Sequence, residues 1–375
     1  MQLSETIKLY VTREQRELIT KAMAEYINTV NSLVSDAMKG APVKRYTSKD
    51  VSAELPSAVI NQSIRDANSI VRKHYKACMK TILRNKKLKE EGKDIVFLAP
   101  NVPVLKRLCL YVNNQNYRII DNCISFPMRI SGKTTRISVK IKMTETQKTV
   151  LSVHKLGTMR IVIKNGTLIC QPVYEKEESL YKGEGNVMGI DLGIKCPAVG
   201  YCSDGSVKFY GNGRRNKYMR RHYAYLRKRL QRAKHMDVVK RINNKEQRIM
   251  KDIDHKISHD IIEMAVSHNV KVIKLERLSN IRSTARKSRK NDHSLHNWSF
   301  YRLAQFIEYK ARLAGITVEY VNPAYTSQRC PVCGNVHHAD DRNYVCECGF
   351  HTHRDLLGAM NICNSTEYVG NRHTA

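Results

Sequence analysis

The chain has 375 residues, of which 65 are lysine or arginine and 34 are acidic, giving a formal net charge of +31. Such an excess repels itself unless a polyanion neutralises it, so nucleic acid is the expected partner. No stretch is long and apolar enough to span a bilayer, and MQLSETIKLY alternates polar with apolar residues where a signal peptide needs an apolar core, so a cytosolic protein with no membrane contact is expected.

Residues 1–10 read as a strand. Residues 12–37 then repeat apolar positions at helical spacing, with Thr12 as N-cap ahead of Gln15, and Gly40 and Pro42 end the run. A second helix is predicted from about Pro56 to Arg84, with Val59, Ile60, Ile64, Ala67, Ile70, Val71 and Tyr75 on one face. After residue 95 the period changes. RLCLYV, YRIIDN, CISFPM, RISVKIK, TVLSVHKL, TMRIVIKNG and TLICQPVY read as short strands separated by Asn-Gly and Gly turns. The expectation is a small barrel-like β domain interrupted near its start by the helical pair. Glu175 to Asn186 is the linker.

A new unit opens at residue 187. VMGID, AVGYCS and SVKFYG read as three strands, a long basic helical region follows from Arg214 to about His268, and VKVIKLE is a fourth strand. That order, with an acid ending the first and fourth strands, is the order of an RNase H-like fold, whose first and fourth strands are parallel neighbours. The ends of those strands would bring Asp191 and Glu276 side by side. The basic stretch 279–293 is followed by a helix from about Trp298 to Leu313 and by the strand TVEYVNP. Trp298 reads as a core residue.

Three carboxylates are the candidate catalytic groups: Asp191 after VMGI, Glu276 after VIKL, and Asp355 in His-Arg-Asp at the start of a small-residue helix. Cutting a phosphodiester requires neutralising a polyanion and activating water, and two Mg²⁺ ions about 3.5–4 Å apart on hard oxygen ligands do both. Each acid also has an ordinary reading. Asp191 would be a strand-ending turn residue, Glu276 a partner of Arg277 at a sheet edge, and Asp355 a helix N-terminal acid. Their joint order, set among basic flanks, favours a metal-dependent nuclease. Asp204 and Gly205 read as a hairpin turn, Asp340 and Asp341 as solvated, and Cys196 and Cys202 as core.

Cys330-x2-Cys333 and Cys346-x-Cys348 form a zinc-ribbon signature, in which thiolates give a short segment the core it lacks. His337, His338, His351 and His353 stand by as substitutes if the narrow second pair is too tight. The other seven cysteines (78, 109, 123, 170, 196, 202 and 363) are scattered singly, as in a reducing compartment. Lysine and arginine dominate residues 211–251, with Tyr218, Tyr223 and Tyr225 interleaved, and recur in 282–290. Leu226, Leu230, Val238, Val239 and Ile242 would pack one face, leaving the other as a rail for phosphates. Candidate nucleic-acid contacts are Lys195, Arg214, Arg215, Arg220, Arg221, Arg227, Arg229, Arg286, Lys287 and Arg354.

MGIDLG around Asp191, KLERL around Glu276, YTSQRCPVCG from Tyr325, and Cys346 and Cys348 followed by HTHRDLLGAMNI through Asp355 resemble TnpB. That is the transposon-encoded RNA-guided DNA endonuclease family related to type V CRISPR effectors. The resemblance covers the carboxyl-terminal half by motif and the amino-terminal half by arrangement. It implies an α+β multidomain protein: a wedge β-barrel domain (1–10 and 95–180) with a helical recognition insertion (11–94), and a RuvC-like nuclease domain (187–324). A zinc-binding module (325–350) and a last RuvC motif, helix and tail (351–375) complete it. Implied cofactors are Mg²⁺ or Mn²⁺ on Asp191, Glu276 and Asp355, and structural Zn²⁺ on the four cysteines. Implied partners are a guide RNA, target double-stranded DNA beside a short adjacent motif, and the RNA–DNA heteroduplex, with the protein a monomer or a homodimer on RNA in the prokaryotic cytosol at the nucleoid. A miniature type V CRISPR effector and a binding-only repressor are the alternatives. Cys-x-Cys is narrower than the family's commoner Cys-x2-Cys.

Overall fold

The computed structural model describes residues 1–178, 184–242, 244–278, 300–339 and 341–369, which divide into two units, 1–177 and 178–375. Among the described residues no helix is long and apolar enough to cross a membrane.

In the first unit, α1 (Arg13–Met38) begins at a capping box. Thr12 accepts from the Gln15 backbone and the Gln15 side chain accepts from Thr12, as the sequence predicts. Its buried stripe, Ile19, Met23, Tyr26, Ile27, Val30 and Leu33, recurs at helical spacing. α2 (Ser57–Glu90) buries Val59, Ile60, Ile64 and Ala67, but Tyr75 beyond them is exposed. Both helices share one apolar core with the sheet, so the predicted insertion has no separate core.

That sheet comprises β1 (Gln2–Ser4), β2 (Ile7–Tyr10), β3 (Cys109–Val112), β4 (Arg118–Ile120), β5 (Cys123–Ile130), β6 (Lys133–Ile141), β7 (Lys155–Lys164) and β8 (Thr167–Glu175). Its order is β3-β7-β8-β2-β6-β5-β4, with β1 also on β8. The sheet is curled but open. β2 bends it, pairing Ile7 and Lys8 with β8 and Leu9 and Tyr10 with β6. The barrel read from the sequence is therefore a half-barrel whose apolar face is covered by α1 and α2. The β7–β8 hairpin turns through Asn165-Gly166, both at positive φ, as the Asn-Gly signal predicts. TVLSVHKL is a correction. Most of it belongs to a helix, α3 (Glu145–Val153), because Thr144 and Gln147 form a second capping box that overrides the β-branched run.

The second unit holds β9 (Asn186–Asp191), β10 (Ala198–Cys202), β11 (Val207–Tyr210), β12 (Val270–Glu276) and β13 (Thr317–Val321) in the order β11-β10-β9-β12-β13. β9 and β12 are parallel neighbours, as read from the strand order. The basic stretch is three helices rather than one: α4 (Gly213–Arg232), α5 (Met236–Ile242) and α6 (Lys245–Ser267). Lys234 and Asn244 break it with positive φ. α6 and α7 (Phe300–Leu313) pack on the sheet face formed by Met188, Ile190, Ile273 and Leu275. Trp298, Arg286 and Lys287 lie outside the described residues. The hairpin β14 (Asn343–Val345) and β15 (His351–His353) leads into α8 (Arg354–Asn364).

Candidate active site

Strand alternation decides where two of the three acids go. Ile190 and Leu275 are register partners and both point into the core. Asp191 and Glu276 are the next residues on the two strands, so they project from the opposite face, at the carboxyl ends. Gly189 and Lys274 lie on that same face two residues earlier.

α8 covers this face. A Cβ on Gly189 would lie 2.2 Å from the Ala359 carbonyl oxygen and 2.4 Å from the Cys363 nitrogen. Only glycine lets the helix backbone come so close. Lys274 donates to the Cys363 and Ser365 carbonyls at 2.9 and 2.7 Å, satisfying the last turn of α8 and favouring its dipole. The helix therefore runs with its C-terminus beside Lys274 and its N-terminus beside Asp191 and Glu276. At that end, a Cβ on Gly358 would sit 3.2 Å from the Asp191 carboxyl carbon. Asp355 is one turn earlier and buried. His353 takes the capping role, its Nδ1 accepting from the Asp355 amide at 3.2 Å, which leaves the Asp355 carboxylate free of that task.

The fold thus brings Asp191, Glu276 and Asp355 into one electrostatic cluster. Burial, then the Glu276 and Asp355 carboxylates, push the Asp191 carboxyl well above its usual range against the pull of Arg342 and Arg354. Burial also raises Glu276, opposed by the Thr326 hydroxyl that donates to Oε1. Arg342 ion-pairs with Asp355. Sequence reasoning missed Thr326, Arg342, Gly358 and Lys274. For Thr326 a faint signal existed, since it lies just beyond β13, whose Val321 pairs with Glu276.

The Cys330, Cys333, Cys346 and Cys348 sulfurs lie within 4.8 Å of one another. Cys330 to Cys348 is 3.6 Å and Cys333 to Cys346 is 3.4 Å, close to the spacing of about 3.8 Å that tetrahedral geometry requires for thiolates about 2.3 Å from zinc. Burial pushes the Cys330 thiol up, but the backbone amides of Cys333 and Val332 and the neighbouring thiols outweigh it and bring it to about 6. The narrow second pair does not prevent the four from converging. Three of the four histidines are engaged elsewhere: His337 with the Val345 carbonyl and the Tyr344 ring, His351 with Gly349 and His353 at the helix cap. Tyr344, Cys330 and Cys346 share a small core with Leu357 of α8. Asn361 of α8 donates to the Thr326 and Arg329 carbonyls, both at 2.7 Å, joining the acid-bearing helix to the chain entering the thiol cluster.

The basic candidates divide. Lys195, Arg214, Arg215, Arg221 and Arg229 are exposed. Arg227 pairs with Glu246 of α6 at 2.7 Å, and Arg220 is desolvated beside Glu246 and Asp254. Arg354 is half-buried, donating to the Ala339 carbonyl. Leu226, Leu230, Val238, Val239 and Ile242 are only partly buried, so the expected packed face of this basic region is thin. Asp204 and Gly205 make the predicted turn, Gly205 at φ +89°. Asp341 accepts from the Asn343 amide, and Asp340 lies outside the described residues. Cys202 is buried and Cys196 half-buried.

A family model described as "Cas12f1-like, TNB domain" matches residues 300–362. TnpB-like protein MJ0751 of Methanocaldococcus jannaschii is 38% identical over 136 residues, 36% of this chain and 49% of that protein. Putative transposase MJ0856.1 of the same organism is 33% identical over 79 residues, 18% of this chain and 72% of that protein. The match thus spans about half the length of the TnpB-like relative. In fold, the chain resembles a protein solved in a cryo-EM structure of a Cas12f1–sgRNA–target DNA complex, with TM-score 0.58 and 15% identity, covering 94% of this chain and 82% of that one.

Proposed function

Because the chain belongs to the TnpB and Cas12f-type family of RNA-guided nucleases, we propose that it is a DNA endonuclease directed by a guide RNA and cutting at one RuvC-like, metal-dependent site. The observation that carries the proposal is the gathering of Asp191, Glu276 and Asp355 from two strand ends and a helix start. Like-charged acids held together out of water are costly unless something positive joins them. Arg342 and Arg354 offset only part of that repulsion at Asp191. An all-oxygen donor set of this kind suits a hard divalent cation. Mg²⁺ or Mn²⁺ held by the three acids would supply charge neutralisation at the scissile phosphate and a water made acidic enough to attack.

The chain's own groups prepare that chemistry. Thr326 fixes one Glu276 oxygen by donating its hydroxyl to Oε1. Arg342 orients Asp355 and, as a fixed cation beside the acids, would also meet an incoming phosphate. Four thiolates holding Zn²⁺ would keep the segment before α8 in place, and with it the acid on that helix. The excess of basic charge suits an RNA–DNA heteroduplex, whose sequence is read by pairing and not by the protein.

In the first unit, a polar cleft of about 300 Å³ is lined by Asn61, Gln62, Arg65, Asn113, Gln115 and Asn116. Amide side chains of this type pair with adenine edges, which suits the reading of a short adjacent motif.

Asp191→Ala and Glu276→Ala test the proposal. Each should lower Mg²⁺-dependent cleavage of a matched target by about a thousand-fold or more, the loss of several kcal/mol of transition-state stabilisation. Copurifying RNA should be retained. Cleavage at the wild-type rate by either variant would remove that residue from the site.

A further inference from the structure

We propose that the exposed face of α4 is a stacking platform for unpaired bases, built from Tyr218, His222 and Tyr225. The proposal rests on the nucleic-acid partner named above, but not on the carboxylate chemistry.

Almost every second residue of α4 is lysine or arginine and none is acidic, so the helix complements a polyanion. Charge alone would not require aromatic rings. Tyr218 and Tyr225 nevertheless expose 64% and 65% of their surface, and His222 is exposed beside them. At 3.6 residues per turn these three side chains fall within an arc of about 60°. Arg214 and Arg221 flank that arc, and Arg229 continues it one turn beyond Tyr225. Tyr223, the buried tyrosine, and Arg220 and Arg227, which face α6, lie on the other side. The helix is therefore packed through one face, and the exposed rings of Tyr218 and Tyr225 contribute little to its core, while His222 sits edge-on to Tyr223 with centroids 5.2 Å apart.

Tyr218 and His222 lie with their planes 23° apart and centroids at 6.0 Å, so their faces are nearly parallel. From Tyr218 to Tyr225 the helix rises about 10 Å, the length of about three stacked base steps. A duplex keeps its base faces inside the stack. Exposed rings among cations thus select a strand whose bases are unpaired.

The platform also leads to the candidate site. The Gly213 amide donates to the Lys195 carbonyl at 3.0 Å, and a Cβ there would lie 2.0 Å from the Ile194 carbonyl oxygen. The start of α4 is therefore pressed against the loop that follows Asp191. A strand lying on α4 would run toward the three acids. The strand that fits is DNA displaced from the target duplex, because α4 starts against the loop that follows Asp191 and so lies beside the acids that would cut DNA.

The test is fluorescence anisotropy with the full chain in EDTA, so that no cleavage intervenes. The probes are a short oligothymidylate, the matching oligouridylate, an abasic strand of equal length and a duplex. Tyr218→Ala with Tyr225→Ala should weaken binding of a base-bearing single strand by about five-fold or more per ring. The salt dependence should be unchanged, because no phosphate contact is lost. Affinity for the abasic strand and the duplex should stay at the wild-type value, and Tyr218→Phe with Tyr225→Phe should behave as wild type. Loss with oligothymidylate supports the displaced DNA as occupant, and loss confined to oligouridylate overturns that assignment. Wild-type affinity of the alanine variant for both base-bearing strands, or an equal loss for the abasic strand, overturns the platform. Asp191→Ala should leave every one of these readings in place, so failure of the nuclease reading would be seen separately.

Discussion

The thiol cluster and the carboxylate cluster are built in opposite ways. Four cysteines within nineteen residues carry their own geometry, set by two tight turns and the hairpin of β14 and β15. Three acids spread from residue 191 to residue 355 meet only because β9 and β12 are parallel and α8 lies across both. The first is a local device whose four sulfurs already lie close enough to share one metal ion. The second is a gathering of like charges that the rest of the fold has to hold.

The widest break in that comparison should come from Cys330→Ser. Structural zinc contributes about 10–16 kcal/mol in small zinc modules, so the 325–350 segment should open, lose its zinc by elemental analysis and leave α8 poorly anchored. Cleavage should fall with it. Zinc retained at wild-type stoichiometry would show that the cluster does not depend on all four thiols.

Gly189→Ala attacks the other cluster without touching an acid. With its Cβ 2.2 Å from a backbone oxygen, neither side can yield cheaply, and the cost should reach about 3 kcal/mol, the upper end for overpacking. Urea denaturation would measure it. The expected pattern is loss of cleavage with zinc still bound, the reverse of the cysteine variant.

Thr326→Val is milder. It keeps the shape and removes the hydroxyl that donates to Glu276, a bond to a charged group worth roughly 1.5–3 kcal/mol. Cleavage should fall about ten-fold or somewhat more, and the Glu276 carboxyl should rise further. An unchanged pH–rate profile would count against the contact.

The smallest effect has the opposite sign. Asp191 titrates above its usual range in the folded protein because of burial and its acidic neighbours. Between the unfolded value of about 3.9 and the raised folded value, the folded state binds the extra proton, so metal-free stability falls as pH rises through that window. Asp191→Asn removes that penalty. Without divalent metal the variant should melt at a higher temperature than wild type at neutral pH while having lost its cleavage. A lower melting temperature would mean that Arg342 and Arg354 already compensate the charge.

Much of the fold was legible in the residues. The Thr12–Gln15 box, the apolar stripes of α1 and α2 and the Asn165-Gly166 hairpin rest on short-range rules, the parallel pairing in the second unit follows from the order of its elements, and the structure agrees with each. TVLSVHKL misled because its β-branched run outweighed, on paper, a capping box lying just before it. The barrel misled for another reason. Strand patterns state which residues are apolar, not whether the last strand meets the first, and here two helices cover the opening instead.

By itself the sequence determined most of the elements, the charge, the four thiols and which acids end apolar strands, because spacing along a chain is a local property. Whether those acids share a site was decided by register, by glycines at 189 and 358 and by the direction in which α8 crosses the sheet. Thr326 and Arg342 acquire meaning only in that setting, since a hydroxyl or guanidinium has no partner until folding supplies one.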